Sequence, residues 1–351
     1  MMENAGKINE EYFKQVILPN SGFRRKEVLV GPNFGVDVAL IDLLDGRAIA
    51  LTSDPLSLIP TLGLQESAWL SVHLMANDIA TTSFSPQYLQ TVLNLPTSIT
   101  DAQFQEYWQH IDHFCQQIGV AITGGHTGSI EGQNSTISGG GTMITIAPKD
   151  KILASNNAQV GDLIVMTKQC AMSSVAILAL SFPETVKHRL GTEIALEASE
   201  LFYQTSVLKE AEIVRQLNEK QRVVNAMHDV TEGGVLGAVF EMSVASGLGV
   251  EVDDEKIPRT AVEKGVCDLF GLDPRYCIGA GSMILSVNPA HEQTLVHTLA
   301  EQGLPATVIG KFVESSDGHV IIEDGQRKPL PYFETDPYWA AFFGAFKKGW
   351  K

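Results

Sequence analysis

The 351-residue sequence is short of cysteine, of basic residues and of long apolar runs, and each shortage excludes something. Its four cysteines, Cys115, Cys170, Cys267 and Cys277, are scattered and form no C-x-x-C pair. A zinc site or a disulfide framework is therefore not expected, and the four read as buried thiols in a reducing compartment. There are 25 lysines and arginines against 41 acids, a net charge of -16 and a pI near 4.9. A nucleic-acid partner is excluded on that ground, since such partners need a basic footprint. A small anionic ligand is not, because magnesium can bridge acids to phosphates. No apolar run approaches the ~20 residues of a membrane span. The opening "MMENAGKINEEYFKQV" has no basic segment followed by an apolar one, so no signal peptide is expected. The expectation is a cytoplasmic chain with neither membrane nor nucleic-acid partner. Walker A, G-x-G-x-x-G and G-x-S-x-G patterns are all missing.

What is present is an alternation of strand-like and helix-like segments over a chain long enough for two domains. The expected division is 1–150 and 158–330, with an aromatic, amphipathic tail at 331–351. The turn-rich "APKDKILASNNAQVGD" marks the boundary. Strands are expected at 28–30, 36–41, 48–52, 120–123, 142–147, 163–167 and 223–226, and in "GSMILSV" and "ATVIGKF". Helices are expected at 102–118, 173–180, 235–246 and 291–302, with a long acidic one at 192–218. The 102–118 segment is the clearest, with apolar residues every three or four positions and Gly119 at the C-cap.

Four acids sit where apolar segments end. Asp37 lies in "GPNFGVDVAL", Asp54 in "ALTSDP", Asp78 in "MANDIATTSFSP" and Asp229 in "MHDVTEGG". A carboxylate beside an apolar strand is costly to desolvate unless something pairs with it. Few lysines or arginines are near in sequence, so divalent cations are a plausible common partner, and oxygen-only ligands suit magnesium. Each acid also has a bland reading. Asp229 and Glu232 form D-x-x-E, a serviceable cap for the following helix, and Asp54 before Pro55 can simply shape a turn. The glycines of "GGHTG" (124–128) and "TEGGVLG" (231–237) would let backbone N–H groups approach a phosphate. Acids beside such turns suit a nucleotide held through metal ions. His126 and Lys168 are the candidates for proton transfer or charge stabilisation, against bland readings as a structural histidine and a surface lysine.

The ordered set "GPNFGVDVAL", "LTSDPLSL", "NDIATTSFSPQYL", "ITGGHTG", "GDLIVMT", "HDVTEGGVLGAVFEM" and "IGKF" resembles the aminoimidazole ribonucleotide synthetase (PurM-like) superfamily. That group includes selenophosphate synthetase, thiamine-monophosphate kinase and HypE-type hydrogenase maturation factors, and "GAGSMILSVNPAHEQTLVHTLAEQGLPATVIGKF" looks most like HypE and its uncharacterised relatives. The resemblance implies a two-domain α/β (α+β) fold, in which an N-terminal ATP-binding domain forms a dimeric β-barrel with its twin and is followed by a C-terminal α/β domain. It implies ATP and magnesium as cofactors, with Asp37, Asp54, Asp78 and Asp229 holding metal and phosphate. Gly124, Gly125, Thr127, Gly233 and Gly234 then fall on the nucleotide side. The implied activity is ATP-dependent phosphorylation or activation of a small acceptor by a homodimer. A non-catalytic nucleotide-binding scaffold with a maturation partner, and a kinase of the thiamine-monophosphate type, are the alternatives. Three departures bear on this. No cysteine follows Cys277, so HypE's own tail chemistry does not carry over. Glu232 stands where HypE usually has arginine, and His126 where most members have an acid.

Overall fold

The computed structural model describes residues 6–333 and 335–351. A single helical turn, α1 (Glu10–Tyr12), precedes the first sheet. That sheet is built from β1 (Val28–Val30), β2 (Ala39–Asp42), β3 (Arg47–Ser57), β4 (Tyr88–Pro96), β5 (Ala121–Ile130) and β6 (Ile137–Pro148). They lie in the order β1-β2-β3-β6-β4-β5, and only the β4–β5 pair is parallel. Every second residue of β4 is buried, as expected where one sheet face is packed and the other is not. The packed face carries α2 (Leu64–Ala80) and α3 (Asp101–Gln117). Thr100 and Gln103 form a reciprocal capping box at the start of α3. Among the described residues the sheet is open, and β5 is an edge strand.

The second sheet comprises β7 (Leu163–Thr167), β8 (Val224–Asp229), β9 (Gly249–Asp253), β10 (Met283–Val287), β11 (Ala306–Val313), β12 (His319–Glu323) and β13 (Gln326–Pro329). Its order is β13-β12-β9-β11-β7-β10-β8. Every residue of β8 and β10 is buried, because helices cover both faces of this part of the sheet. Those helices are α4 (Met172–Ser181), α5 (Pro183–Leu190), α6 (Thr192–Glu200), α7 (Leu208–Lys220), α8 (Gly234–Ser246), α9 (Ala261–Phe270) and α10 (Glu292–Glu301), followed by α11 (Pro337–Lys347) near the C-terminus. The architecture is the expected two-domain α/β fold. No described helix is long and apolar enough to cross a membrane.

Two expectations need correction. The strand containing Asp54 does not stop at Pro55 and runs on to Ser57. Beyond Leu51 the β2 side of β3 has no partner strand among the described residues, so a proline without N–H costs no ladder bond there. The acidic segment 192–218 is two helices, because tertiary contacts hold the chain open between them. Asn77 on α2 donates to Thr205 O at 2.9 Å and accepts from Val207 N–H at 3.0 Å. Trp69 Nε1 donates to Thr205 Oγ1 at 3.0 Å, and Lys168 Nζ donates to Gln204 O and Ser206 O.

These contacts seat the second half against α2, the helix that also carries Asp78. Replacing the fully buried Asn77 with alanine strands a backbone N–H and a carbonyl, each worth about 1–3 kcal/mol when left unsatisfied. Asn77→Ala is expected to lower unfolding free energy by roughly 2–4 kcal/mol in urea titrations. A change under about 0.5 kcal/mol would show that the break is held elsewhere.

Candidate functional site

A cavity of ≈ 460 Å³ opens between the two sheets, and Asp37, Asp54, Asp78 and Asp229 all line it. Each comes from a different element. Asp37 is in the loop before β2, Asp54 is within β3, Asp78 is in the last turns of α2, and Asp229 ends β8. Gly35 explains the approach of the first loop. Its φ is +73°, and a Cβ there would lie 2.2 Å from Glu241 O on α8, so only glycine lets this loop close against that helix.

His228 organises the floor. Its Nδ1 lies 2.8 Å from Asp37 Oδ2, and its Nε2 lies 3.4 Å from Glu241 Oε2. Ser155 Oγ donates to the same Asp37 oxygen at 2.7 Å, and Thr52 Oγ1 donates to Asp78 at 2.6 Å. Asp229 is buried, and neither of its carboxylate oxygens has a hydrogen-bond partner among the described residues. Ligand atoms of Asp37, His228 and Asp229 lie within 4.8 Å of one another.

Burial opposes a charge on His228, but the charge and hydrogen bond of Asp37, with Glu241, outweigh it and raise the imidazole to about 10. Nδ1 of His228 is engaged by Asp37, whereas Nε2 lies 3.4 Å from Glu241 and makes no hydrogen bond among the described residues. The acids show the reverse balance. Burial first, then the negative charge of Asp37, raises Asp229 to about 7 despite His228 and Lys7. Burial first, and also Glu232, raises Asp54 to about 6. Asp78 is pushed well up by burial and by Asp229, Asp54 and Asp37. Desolvation opposes the charge on Lys7, yet Glu241, Asp229, Glu232 and Asp37 hold its ammonium above the usual range. With that side chain 54 % exposed, its desolvation is incomplete. Oxygen-only donors, two of them orphaned, fit a hard divalent cation.

The other expected residues lie elsewhere or are already engaged. Asp229 is not a helix cap: α8 is capped by Gly233, with φ +83°. The Gly233 N–H already donates to Asp336 Oδ2 at 2.7 Å, and Gly234 packs under Arg275 O. Neither glycine lines the cavity, whereas the adjacent Thr231 and Glu232 do. Gly124, Gly125, His126 and Thr127 lie on β5, away from the cavity of their own chain. Gly125 has a packing reason, since a Cβ there would lie 1.9 Å from Thr91 O on β4. Lys168 is no surface lysine. Its Nζ donates to three carbonyls, those of Gln204, Ser206 and Gly281, and pairs with the buried Glu210 at 2.8 Å. That leaves it no proton or charge to offer the cavity. All four cysteines are buried free thiols, as expected.

Sequence reasoning missed Lys7 and Glu241, whereas the amphipathic tail, expected to dock as a helix on its own chain or on a partner, does pack on this chain as α11. Glu241 had a signal, as the single acid in the apolar helix "GVLGAVFEMSVAS". Glu232 holds the segments over the cavity: its oxygens accept from Lys7 N–H at 2.7 Å and Trp339 Nε1 at 3.1 Å.

Fold and site together define a two-sheet α/β protein with a carboxylate-lined cleft between its halves. Residues 35–147 match the model of the AIR synthase related protein N-terminal domain, and residues 159–323 match that of the C-terminal domain. The chain belongs to the AIR synthase related proteins. It is 27% identical over 323 residues to a Methanocaldococcus jannaschii protein named for hydrogenase expression/formation, covering 91% of each chain. It is 26% identical to the carbamoyl dehydratase HypE of Escherichia coli over 272 residues, 75% of each. It is 24% identical over 322 residues to an Escherichia coli selenide, water dikinase, covering 84% of this chain and 88% of that one. Among solved structures, a HypE–HypF complex superposes with a TM-score of 0.71 at 19% identity, covering 92% of this chain and 99% of that one. HypE in complex with ATP gives 0.68 at 18%, covering 95% and 94%. A ThiL complexed with AMPPCP and TMP gives 0.70 at 16%, covering 93% and 98%.

The raised acids set a pH dependence. Between 3.8 and about 7 the folded protein keeps protons that the unfolded chain has released, so stability falls as pH rises through this window. His228 extends the fall, since the folded imidazole keeps its proton from 6.5 to about 10. In EDTA, Asp229→Asn is expected to flatten the decline between pH 4.5 and 7.5 by about 1–3 kcal/mol, and millimolar magnesium should flatten it in the wild type. Urea midpoints at each pH test this; parallel curves for variant and wild type would contradict it.

Proposed function

We propose that the protein is a magnesium- and ATP-dependent enzyme that phosphorylates or otherwise activates a small acceptor, acting as a cytoplasmic homodimer. The observation that carries this is the convergence of four aspartates from four elements on one cavity, with Asp229 left without a hydrogen-bond partner among the described residues. Magnesium bound there would neutralise the acids and offer the triphosphate a positive surface. Asp37, Asp54, Asp78 and Asp229 hold the metal. His228, clamped between Asp37 and Glu241, fixes the Asp37 carboxylate, and Thr52 fixes that of Asp78. In the transfer, an acceptor oxygen or nitrogen bonds to the γ-phosphorus as the bond to ADP breaks, and the acceptor proton passes to solvent. The ATP-bound HypE and AMPPCP-bound ThiL structures share this fold, which supports a nucleotide as the ligand.

Two features support the dimer. Edge strand β5 is exposed along most of its length, Tyr88 and Val92 of β4 are exposed on the open face of the sheet, and Ile130 is exposed at the end of β5. An uncovered edge beside apolar residues is a site for pairing with another copy. His126, Gly124, Gly125 and Thr127 lie on this strand, so any part they play in nucleotide binding is played across the dimer. A second reading, a non-catalytic maturation partner, draws on the HypE–HypF complex and on α11 lying over the cavity.

Isothermal titration should show ATP binding that requires magnesium, and Asp229→Asn or Asp78→Asn should weaken it by at least about 10–100-fold. Light scattering should give twice the 38.1 kDa chain mass. Magnesium-independent binding, or unchanged affinity in both variants, would rule out the metal assignment. Full ATP binding with no ADP release on addition of any metabolite would favour the non-catalytic reading.

A further inference from the structure

The cavity has two chemically different ends, and α2 connects them. Leu70, Leu74 and Asp78 all line it from this one helix, four residues apart each time. That spacing stacks them along one helix face, at about 6 Å per step. Leu74 and Leu70 therefore sit about 6 and 12 Å along the helix axis from Asp78, as an apolar wall behind it. Ile177 from α4, Ile278 from the loop before β10, and Phe342 from α11 line the cavity as well. Leu70, Ile177 and Phe342 are all buried members of one core cluster, so this wall is built into the protein rather than left bare at its surface.

The charge balance points the same way. Six carboxylates line the cavity: the four aspartates, Glu232 and Glu241. Lys7 is the only lysine or arginine among the described lining residues, and it is already committed to Thr231 and Glu241. Divalent cations would offset the aspartates, and the triphosphate they recruit would restore the negative charge. Among the described residues of one chain, no uncommitted lysine or arginine lines the cavity to meet a phosphate or carboxylate on a second ligand, and Glu232 adds a repulsion that the metal does not cancel.

Resting on the nucleotide reading above, we infer that the acceptor is an uncharged or cationic molecule with an apolar body, seated along Leu70, Leu74 and Ile177, with Glu232 as a determinant against anions. The reacting atom is an oxygen or nitrogen at the end of that body nearest Asp78. A thiamine-monophosphate type of acceptor, which brings its own phosphate, does not fit this wall.

The test is made in two stages on the full chain. The first titrates AMPPCP with magnesium. If it fails to bind, the nucleotide reading falls and the acceptor assignment falls with it. The second titrates three matched probes into the saturated complex: 1-hexanol, 6-amino-1-hexanol and 6-hydroxyhexanoate. The alcohol and the amine are expected to bind at least about tenfold more tightly than the acid. Glu232→Gln should narrow that gap, and Leu74→Asn should weaken the alcohol and the amine without changing AMPPCP affinity. Three outcomes would overturn the inference while leaving the nucleotide reading intact. One is acid binding equal to that of the alcohol, and another is no binding by any probe. The third is a Leu74→Asn variant that loses AMPPCP affinity but keeps affinity for magnesium tripolyphosphate, which would make the wall a base pocket.

Discussion

Gathering carboxylates in a place sheltered from water costs free energy, and much of the centre of this molecule is arranged around that cost. Asp37 and Asp54 raise the proton affinity of Asp229, all three raise that of Asp78, and Asp229 has no hydrogen-bond partner among the described residues. The protein offsets the strain locally with one buried imidazolium. His228 sits between Asp37 and Glu241 and ties the first sheet's loop to β8 and α8. The loop can come that close only because Gly35 packs onto the α8 backbone. A group of acids left short of counter-charge is a latent cation site, and the same shortage that lowers stability supplies affinity for a divalent metal.

The closing segments follow from the same logic. Glu232 binds both the Lys7 backbone and the Trp339 indole, so one residue of the turn before α8 holds the N-terminal segment and α11 over the cavity. Asp336 adds a second tie by accepting from Gly233 while capping α11 through Tyr338 N–H. A carboxylate of the chain itself thus occupies the N-terminus of α8, where an anion is favoured by the helix field. Glu232 in place of the arginine usual in HypE makes sense here. It serves as an anchor for two donors and leaves the mouth of the cavity negative.

Much of the fold was legible because local patterns matched global ones. The apolar runs of β7, β8 and β10 read as strands, and α3 carried its own caps and period. The failures have a common cause. The break between α6 and α7 is held by Asn77, Trp69 and Lys168, all distant in sequence, so local helix propensity could not show it. Pro55 read as a stop because the sequence does not say which edge of a strand lacks a partner.

For the site, the sequence alone singled out four of the six acids that line the cavity. Asp37, Asp54, Asp78 and Asp229 each stand against apolar segments with few lysines or arginines nearby in the chain, and that anomaly is visible residue by residue. It also determined the family, through motifs kept in order along the chain. Only the tertiary structure decided what surrounds the acids. It brought His228 to Asp37 across 191 positions, gave Glu241 its partner, bound Lys168 to carbonyls, and assigned the α8 N-terminus to Asp336. It also set Leu70 and Leu74 behind Asp78 as one wall. The physical reason is that the energy of a charge depends on the field and hydration at its folded position. Both are set by groups that sequence separation hides.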